Sequence, residues 1–514
     1  MGVVWAGGFA AAALGGHGAA GCISDDPNHC RHRGGDSACG TSTPYCDECL
    51  SSEQNGGCVG QIPDGSCHFA GDDPFVAGTG TTTGQPDPST GDDVGDESTT
   101  AVGDCTAEGE RDDACPSSEP FCSGGACMGC EALGGDGFCG DLADTPVCGP
   151  AGDCVECTAD NTAQCTRGTA TFCGLDGTCS GCYEHSQCGT AGCDLYEGVC
   201  LSERSVFYLS SPLCDAMENH AGTAADPHCN MQTLVDALDP QSTVHIDAAV
   251  PFDQQPLVAS SKGDVLIVIG EDDGSTEVGV VQAAGQGRVY TQNLRLQADG
   301  ASVVGCNTGG RIWLRDTDVV GNGSPTGVGV GAGSNCEVTV ERGIITDNAG
   351  GGVSATNAEV RLWSSGVLAN GAGDATSGIT LDLSELVLVH TTVIENGTDV
   401  DGHNLACDGG SGVDIRNSVL LRDGGASFDG CGTAVLANSV VDDEALADPD
   451  AGVTVAQFMP TYFVDATGGD PRLTAGAPFD DVAVWAANDP YVDIEGDALD
   501  AVVGATNDAG CDQR

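Results

Sequence analysis

Lysine is almost missing from this chain: Lys262 is the only one in 514 residues. Bases of any kind are scarce, with 16 Lys and Arg against 77 Asp and Glu, a net charge of −61. That balance excludes a nucleic-acid-binding surface, because phosphates would be repelled rather than neutralised. It excludes adhesion to anionic lipid for the same reason. Aromatic residues make up only 4%. No apolar run reaches the roughly 18 residues of a membrane span. What is plentiful is cysteine and glycine, 30 and 79 residues. Thirty thiols fit an oxidising, extracytoplasmic compartment. The acidity itself is the solubility device of a protein in saline surroundings, and a calcium-dependent surface is the sharper reading of it.

The chain divides by composition. Residues 1–21 contain a short apolar run, VVWAGGFAAAALGG, of the length of a signal-peptide core. It ends in Ala19-Ala20-Gly21-Cys22, which resembles a bacterial lipobox and implies lipidation of Cys22. Ordinary cleavage, with Cys22 in a disulfide, is the alternative. Residues 22–70 hold a small cysteine knot, and residues 71–104 a Thr/Gly/Ser/Pro stalk with eight acidic residues and no base. Such a segment is expected to stay extended and unfolded.

Residues 105–200 repeat. Cysteines fall in groups of four that begin at Cys105, Cys130, Cys157 and Cys182, and a C-x-x-C joins each group to the next. Two disulfides per module is the simplest reading; zinc is the alternative, disfavoured by a single histidine, His185. Four cysteines allow three connectivities, and spacing does not choose among them. The text CVECTADNTAQC resembles small cysteine-rich repeats of secreted bacterial surface proteins, which implies no catalytic role.

Beyond residue 200 the cysteines thin out. Residues 201–242 are expected to form a capping segment with a helix over MQTLVDAL (231–238), and residues 447–514 a C-terminal cap. Between them, 243–446 alternates short β-branched runs with Gly, Asn and Asp turns. An apolar pair recurs, first members Leu294, Val319, Ile344, Val367, Val393, Val419 and Val440, at intervals between 21 and 26 residues. Asn322, Asn370 and Asn396 each follow a marker by three residues. A period near 24 with short strands predicts one solenoid turn per repeat, strands stacked in parallel about 4.8 Å apart, and an asparagine ladder at a turn. A leucine-rich repeat is the other solenoid considered; its L-x-x-L-x-L frame does not recur. The pattern resembles the right-handed parallel β-helix of the pectin-lyase-like superfamily. The tail, FVDATGGDPRLTAGAPFDDVA followed by DIEGDALDAVVGAT, is similar to the terminal segment of bacterial β-helix-repeat proteins. The expected fold class is therefore all-β, a right-handed parallel β-helix behind disulfide-rich modules. Cys306/Cys336 and Cys407/Cys431 are placed to bridge neighbouring coils, Cys214/Cys229 to close the capping segment, and Cys511 is left over.

The resemblance implies polysaccharide chemistry on a long outer face. Lyases of the superfamily need Ca²⁺ carboxylates and a basic residue; hydrolases need clustered carboxylates. The strand bases are Arg311, Arg315, Arg342, Arg361 and Arg416, near Asp316, Asp318, Glu341, Asp347 and Glu359. The adjacent pairs Arg315/Asp316 and Glu341/Arg342 are expected to point to opposite faces. The superfamily's catalytic signature series is missing. Solvated charge is the plain reading of these residues, and a non-enzymatic module, one that binds an extracellular polysaccharide or a surface protein or else a bare structural rod, is favoured over a polysaccharide lyase or glycoside hydrolase. Trp313 and Trp363, in the shared motif R-[IL]-W with Arg311 and Arg361, are the candidate sugar-stacking residues. No cofactor is expected beyond Ca²⁺, for which Asp493, Glu495 and Asp497, or the Asp264, Asp272, Asp273 set, offer oxygen ligands. A monomer held to the membrane only by its lipid is the expected assembly.

Overall fold

The computed structural model describes residues 181–512 apart from 211–219, 248–255, 272–275, 372–376, 398–401 and shorter gaps, together with parts of 115–180 and the pairs 45–46 and 58–59. The expected signal peptide, Cys22, nearly all of the first knot, the expected stalk, Cys214, Asp272 and Asp273 lie outside these residues. The chain forms two compact units, residues 1–95 and 96–514. In the first, Tyr45–Cys46 pairs antiparallel with Cys58–Val59.

The second unit opens with the disulfide array. Its modules share one connectivity, first cysteine to third and second to fourth. The bonds are Cys130–Cys148 and Cys139–Cys154, Cys157–Cys173 and Cys165–Cys179, Cys182–Cys193 and Cys188–Cys200. In the leading module Cys115 bonds Cys127, second to fourth. The cysteines themselves are the core: Cys130, Cys139, Cys157 and Cys193 are fully buried. A short hairpin brings the last two cysteines of each module together, as in Cys148↔Cys154, Cys173↔Cys179 and Cys193↔Cys200.

The solenoid follows as parallel strands in a 17-stranded and an 8-stranded sheet. The larger sheet bends at a corner into two faces. Face A runs from Val206–Ser210 through Gln241–Asp247, Val265–Ile269, Glu337–Glu341, Glu359–Trp363, Glu385–Val389 and Gly412–Arg416 to Ala434–Ala437. Face B includes Ile344–Thr346, Gly366–Leu368, Thr392–Ile394, Val419–Leu421 and Val440–Val441. The strands Arg288–Leu296 and Arg311–Val320 pass through the corner and serve both. Face C, the smaller sheet, runs from Leu257–Ala259 to Phe428–Asp429. The ladder thus starts before residue 243, and Thr454–Val455 continues it past 446.

One residue makes the A–B corner in each coil, and it sits in the left-handed region: Asn293, Asp316, Arg342, Ser364, His390, Asn417 and Asn438, with φ between 45° and 56°. In five of these seven coils the next residue is a small hydroxyl turned inward. Thr317, Ser365, Thr391, Ser418 and Ser439 are all buried. Ser418 Oγ accepts the Thr391 N–H at 3.1 Å and donates to its own Arg416 carbonyl at 2.7 Å. Ser439 repeats both bonds one coil on. These hydroxyls satisfy backbone groups that the corner removes from the sheet ladder.

The register of the apolar pairs differs from the sequence reading. The column in true register is Leu296, Val319, Ile345, Val367, Val393, Leu420 and Val441. Leu294, Ile344, Val419 and Val440 therefore belong one or two positions earlier. Two neighbouring apolar residues made the slip invisible, because both are buried. Val367, Val393 and Leu420 face the interior, while Leu368, Ile394 and Leu421 face outward and are covered by the C-terminal segment through Phe463, Leu473 and Phe479.

The asparagine ladder is longer than Asn322, Asn370 and Asn396. Asn348 Oδ1 accepts the Asn322 N–H at 3.1 Å, Asn370 Oδ1 that of Asn348, and Asn396 Oδ1 that of Asn370. Asn404 extends it and donates to Ser427. Glycine is required across this turn: a Cβ at Gly352 would lie 2.9 Å from Asn370 Nδ2.

The helix Met231–Ala237, N-capped by Asn230 onto the Thr233 N–H at 2.9 Å, lays Met231 and Leu234 over the first coils. Cys306–Cys336 and Cys407–Cys431 are disulfides. Cys229 is also bonded. Cys511 is a free, buried thiol, pushed up to about 12 by burial first, with Asp512 adding to it; its backbone N–H donates to Thr392 Oγ1 at 3.1 Å. Among the described residues no helix is long and apolar enough to cross a membrane.

Candidate functional site

Alternation along face A sends Ile312, Leu314, Val338, Val340, Val360 and Leu362 inward and leaves Arg311, Trp313, Arg315, Thr339, Arg361 and Trp363 outside. The rings of Trp313 and Trp363 meet edge to face, 6.1 Å apart at 82°. Two coils separate them in sequence order, but neighbouring outward columns bring them together. Trp313 Nε1 donates to Glu341 Oε2 at 3.1 Å.

The lower rows of this face are already covered. The last disulfide module, Cys182–Cys200, docks there. Asp194 accepts from Tyr290 Oη at 2.6 Å and pairs with Arg288 at 3.0 Å; Glu197 takes the same guanidinium at 2.8 Å. The Arg311 guanidinium lies 3.6 Å over the Tyr196 ring. Gly192 N–H donates to Thr243 Oγ1, and Arg315 donates to the Tyr183 carbonyl. Leu195 and Leu201 pack on Val265, Ile267, Tyr290 and Trp313. Arg311 and Trp313 thus form the upper margin of a seam within the molecule, and Arg361 and Trp363 stand beyond it.

Every strand arginine singled out from sequence is in an ion pair. Arg311 pairs with Glu337 at 3.1 Å, Arg315 with Glu341 at 2.8 Å and Arg361 with Glu359 at 2.5 Å. Arg342 binds both oxygens of Asp316 at 2.7 Å and Glu341 at 3.0 Å. Arg416 pairs with the buried Asp489 of the C-terminal segment. Burial is the largest single influence on Arg311 and Arg342 and lowers both, yet Glu337 with Tyr196, and Asp316 with Glu341, outweigh it and leave both above the usual guanidinium value. Groups held charged in this way cannot abstract a proton near neutrality.

The adjacent pairs Arg315/Asp316 and Glu341/Arg342 do not point to opposite faces. Asp316 and Arg342 are the left-handed corner residues, which breaks the strand alternation. All four side chains join in one network on the outside of the corner. No signal in a single sequence marks that conformation at an Asp and an Arg, since Gly or Asn would be the usual sign.

Above the seam a strip stays open. Glu337, Glu359 and Glu385 stack in register along one column, and Thr339, Arg361, Val387 and Asp414 along the next. Burial raises Glu359 and Asp414, and the neighbouring Glu337 and Glu385 raise Glu359 further, against the lowering pull of Arg361. Of the other candidate carboxylates, Asp318 accepts the Ile344 N–H at 3.0 Å and is raised by burial. Asp347 sits exposed at the turn after face B.

The Asp493, Glu495, Asp497 set forms a turn in the tail. Asp493 is buried, and its Oδ1 accepts the N–H groups of Glu495 and Asp497 at 3.0 and 2.9 Å; Glu495 pairs with Arg472 at 2.9 Å. Asp264 accepts the N–H groups of Ser260 and Ser261 in a turn of its own. Among the described residues, the trios of potential ligand atoms that lie within 4.8 Å of one another are cysteine sulfurs, and those sulfurs are bonded in disulfides.

Comparison with known proteins adds three findings. Residues 92–206, the disulfide array and the start of the first parallel strand, match the model of a family of unknown function, DUF8331. No curated protein matches the chain. Among solved structures, the crystal structure of pectate lyase Pel9A is similar at 12% identity and a TM-score of 0.32, over 61% of this chain and 97% of that one.

Proposed function

We propose that this protein is a secreted, surface-displayed module that binds a neutral extracellular glycan on the open strip of face A and does not cleave it. The ion pairing of all five strand arginines supports this reading. It leaves none of these five arginines unpaired to serve as a lyase base, while Trp313 and Trp363 stand at the edge of an outward strip whose Arg and Glu side chains offer hydrogen bonds to hydroxyls. Repulsion from Glu337, Glu359 and Glu385 disfavours a uronate polymer. The disulfide array supports an extracytoplasmic site of action, and Cys22 would supply its lipid anchor.

The test is retention of the purified, oxidised protein on neutral and acidic polysaccharides, read beside release of reducing ends and of unsaturated uronate, with Ca²⁺ and with chelator. Retention on a neutral glycan without product is expected, and Trp363→Ala is expected to weaken it about tenfold, the worth of one aromatic contact. Product release that survives in the wild type and disappears in Arg361→Ala would establish the polysaccharide lyase or hydrolase reading instead.

A further inference from the structure

Two separate elements cover the outside of the solenoid, and each closes over a buried histidine. At the first seam the last disulfide module holds His185, only 4% exposed. Its Nδ1 accepts the Cys193 N–H at 3.0 Å, and its ring meets Tyr290 edge-on at 6.1 Å. Arg315 and His245 face it from the solenoid. Tyr183 and Glu184 flank it on its own module, and the Asp194–Arg288 pair lies on the far side of Tyr290.

At the second seam His390 is a corner residue, 1% exposed, under the C-terminal segment. Asn417 Oδ1 accepts the Val484 N–H at 3.0 Å, so Nδ2 is its donating end, toward the Val484 carbonyl and Asp489 Oδ2. That same Nδ2, with two hydrogens for three neighbours, lies 3.2 Å from His390 Nε2. His390 Nδ1 is buried with no hydrogen-bond partner. Arg416 faces the ring from the next coil, and Asp489 from the tail at 3.9 Å.

Both imidazoles are buried beneath a cover, and their neighbours disfavour a second proton. A proton on His185 Nδ1 breaks the bond to Cys193. A proton on His390 Nε2 confronts an N–H donor. We infer that mild acid releases both covers: the last disulfide module and the C-terminal segment undock from the solenoid as these two histidines take up protons. The rows beneath, Val265, Ile267 and Tyr290 on face A and Leu368, Ile394 and Leu421 on face B, are then uncovered.

The direction follows from linkage. Burial first, then Arg315 and His245, push His185 down to about 3; burial first, then Arg416, push His390 down to about 3. Their ordinary value is 6.5, so the undocked states bind more protons between about 6.5 and 3. The histidine contribution to docking is fully present above that window, and it is lost by about tenfold per pH unit on the way down. Asp489, raised by burial against the pull of Arg416, and Asp512, raised to about 6 by burial first and then by Asp493 and Glu495, work the other way, so the histidine effect at the tail is the difference between the wild type and His390→Gln.

Amide hydrogen exchange on the full oxidised chain tests this, corrected for intrinsic rates, from pH 7.5 to 4.5. The amides of Val484 and Cys511 report the tail, those of Gly192 and Cys193 the module, and those of Leu314 and Val340 the interior. Opening at both seams is expected to rise about tenfold per pH unit below 6, with the interior unchanged. His390→Gln and His185→Asn keep a neutral acceptor in place of each ring nitrogen. Each is expected to flatten the pH dependence of its own seam alone. Flat opening in the wild type, equal slopes in the variants, or simultaneous opening of the interior would overturn the inference. Should a variant misfold, the imidazole Cε1–H shifts of the wild type decide: protonation that coincides with opening of the seams supports the inference, and protonation while both seams stay closed overturns it.

Discussion

The disulfide array and the solenoid are neighbours in one compact unit, and both are poor in aromatic residues, yet they hold themselves together by opposite means. In the array the buried volume is sulfur: two interleaved bridges per module, with Phe121 or Leu133 as occasional additions. Such modules are too small for a conventional core, so covalent links that limit the unfolded chain take its place. The solenoid buries ordinary Val, Ile and Leu by stacking coil on coil, and it satisfies its corners with side chains, Asn on one and Ser or Thr on another. Local covalent closure therefore needs only about 25 residues, whereas stacking needs several neighbours before any coil is stable.

Three experiments press on that contrast. The largest effect is expected from full reduction. The array should lose its structure, seen as rapid proteolysis between 105 and 181, while the parallel ladder keeps its far-ultraviolet dichroism. Removing one bridge by Cys139→Ser with Cys154→Ser should open its module by about 3 kcal/mol, the value for a loop of this size. Collapse of both regions together would show that the solenoid depends on the array. A smaller but substantial loss is expected at the stacked corner. Asn370→Ala strands buried backbone groups on two coils, because Asn370 accepts from Asn348 and donates to the Ile345 and Leu368 carbonyls. Two or three unmade bonds cost about 3 kcal/mol, visible as a lower denaturation midpoint at unchanged slope. The smallest effect is expected from Arg361→Ala. Its pair with Glu359 is about one-third exposed on both sides, so the change in stability should stay below about 1 kcal/mol. A larger loss there would mean that the outer strip holds the coils together as well as displaying them.

Much of this architecture is legible in the residues. The cysteine spacing shows the modules, and the period near 24 shows the stacked coils. What stayed hidden has physical causes. The choice of first-to-third pairing depends on a hairpin that spacing does not specify. Asn348 escaped notice because a slip of one residue in Ile344-Ile345 moved it out of phase. Asn404 follows Asn396 after only eight residues, across an enlarged turn. The hydroxyl corner was written in NSVL and NSVV, but its role appears only when the preceding residue is seen to be left-handed. The placement of Arg311 under Tyr196, and of Tyr290 and Arg288 on Asp194, rests on partners more than 90 residues away, and no local pattern announces those contacts.

The interleaved bridges also govern how the array carries load. Tension that enters the second module at Cys130 crosses at once to Cys148, follows six residues to Cys154 and leaves; the same short path runs from Cys157 through Cys173 to Cys179. Fully stretched, such a path spans about 26 Å including the bridge, against about 85 Å for the same module with its bridges cut. Pulled from its ends, the array behaves as a chain of nearly inextensible links, so a force applied at one end reaches the solenoid almost without delay or slack.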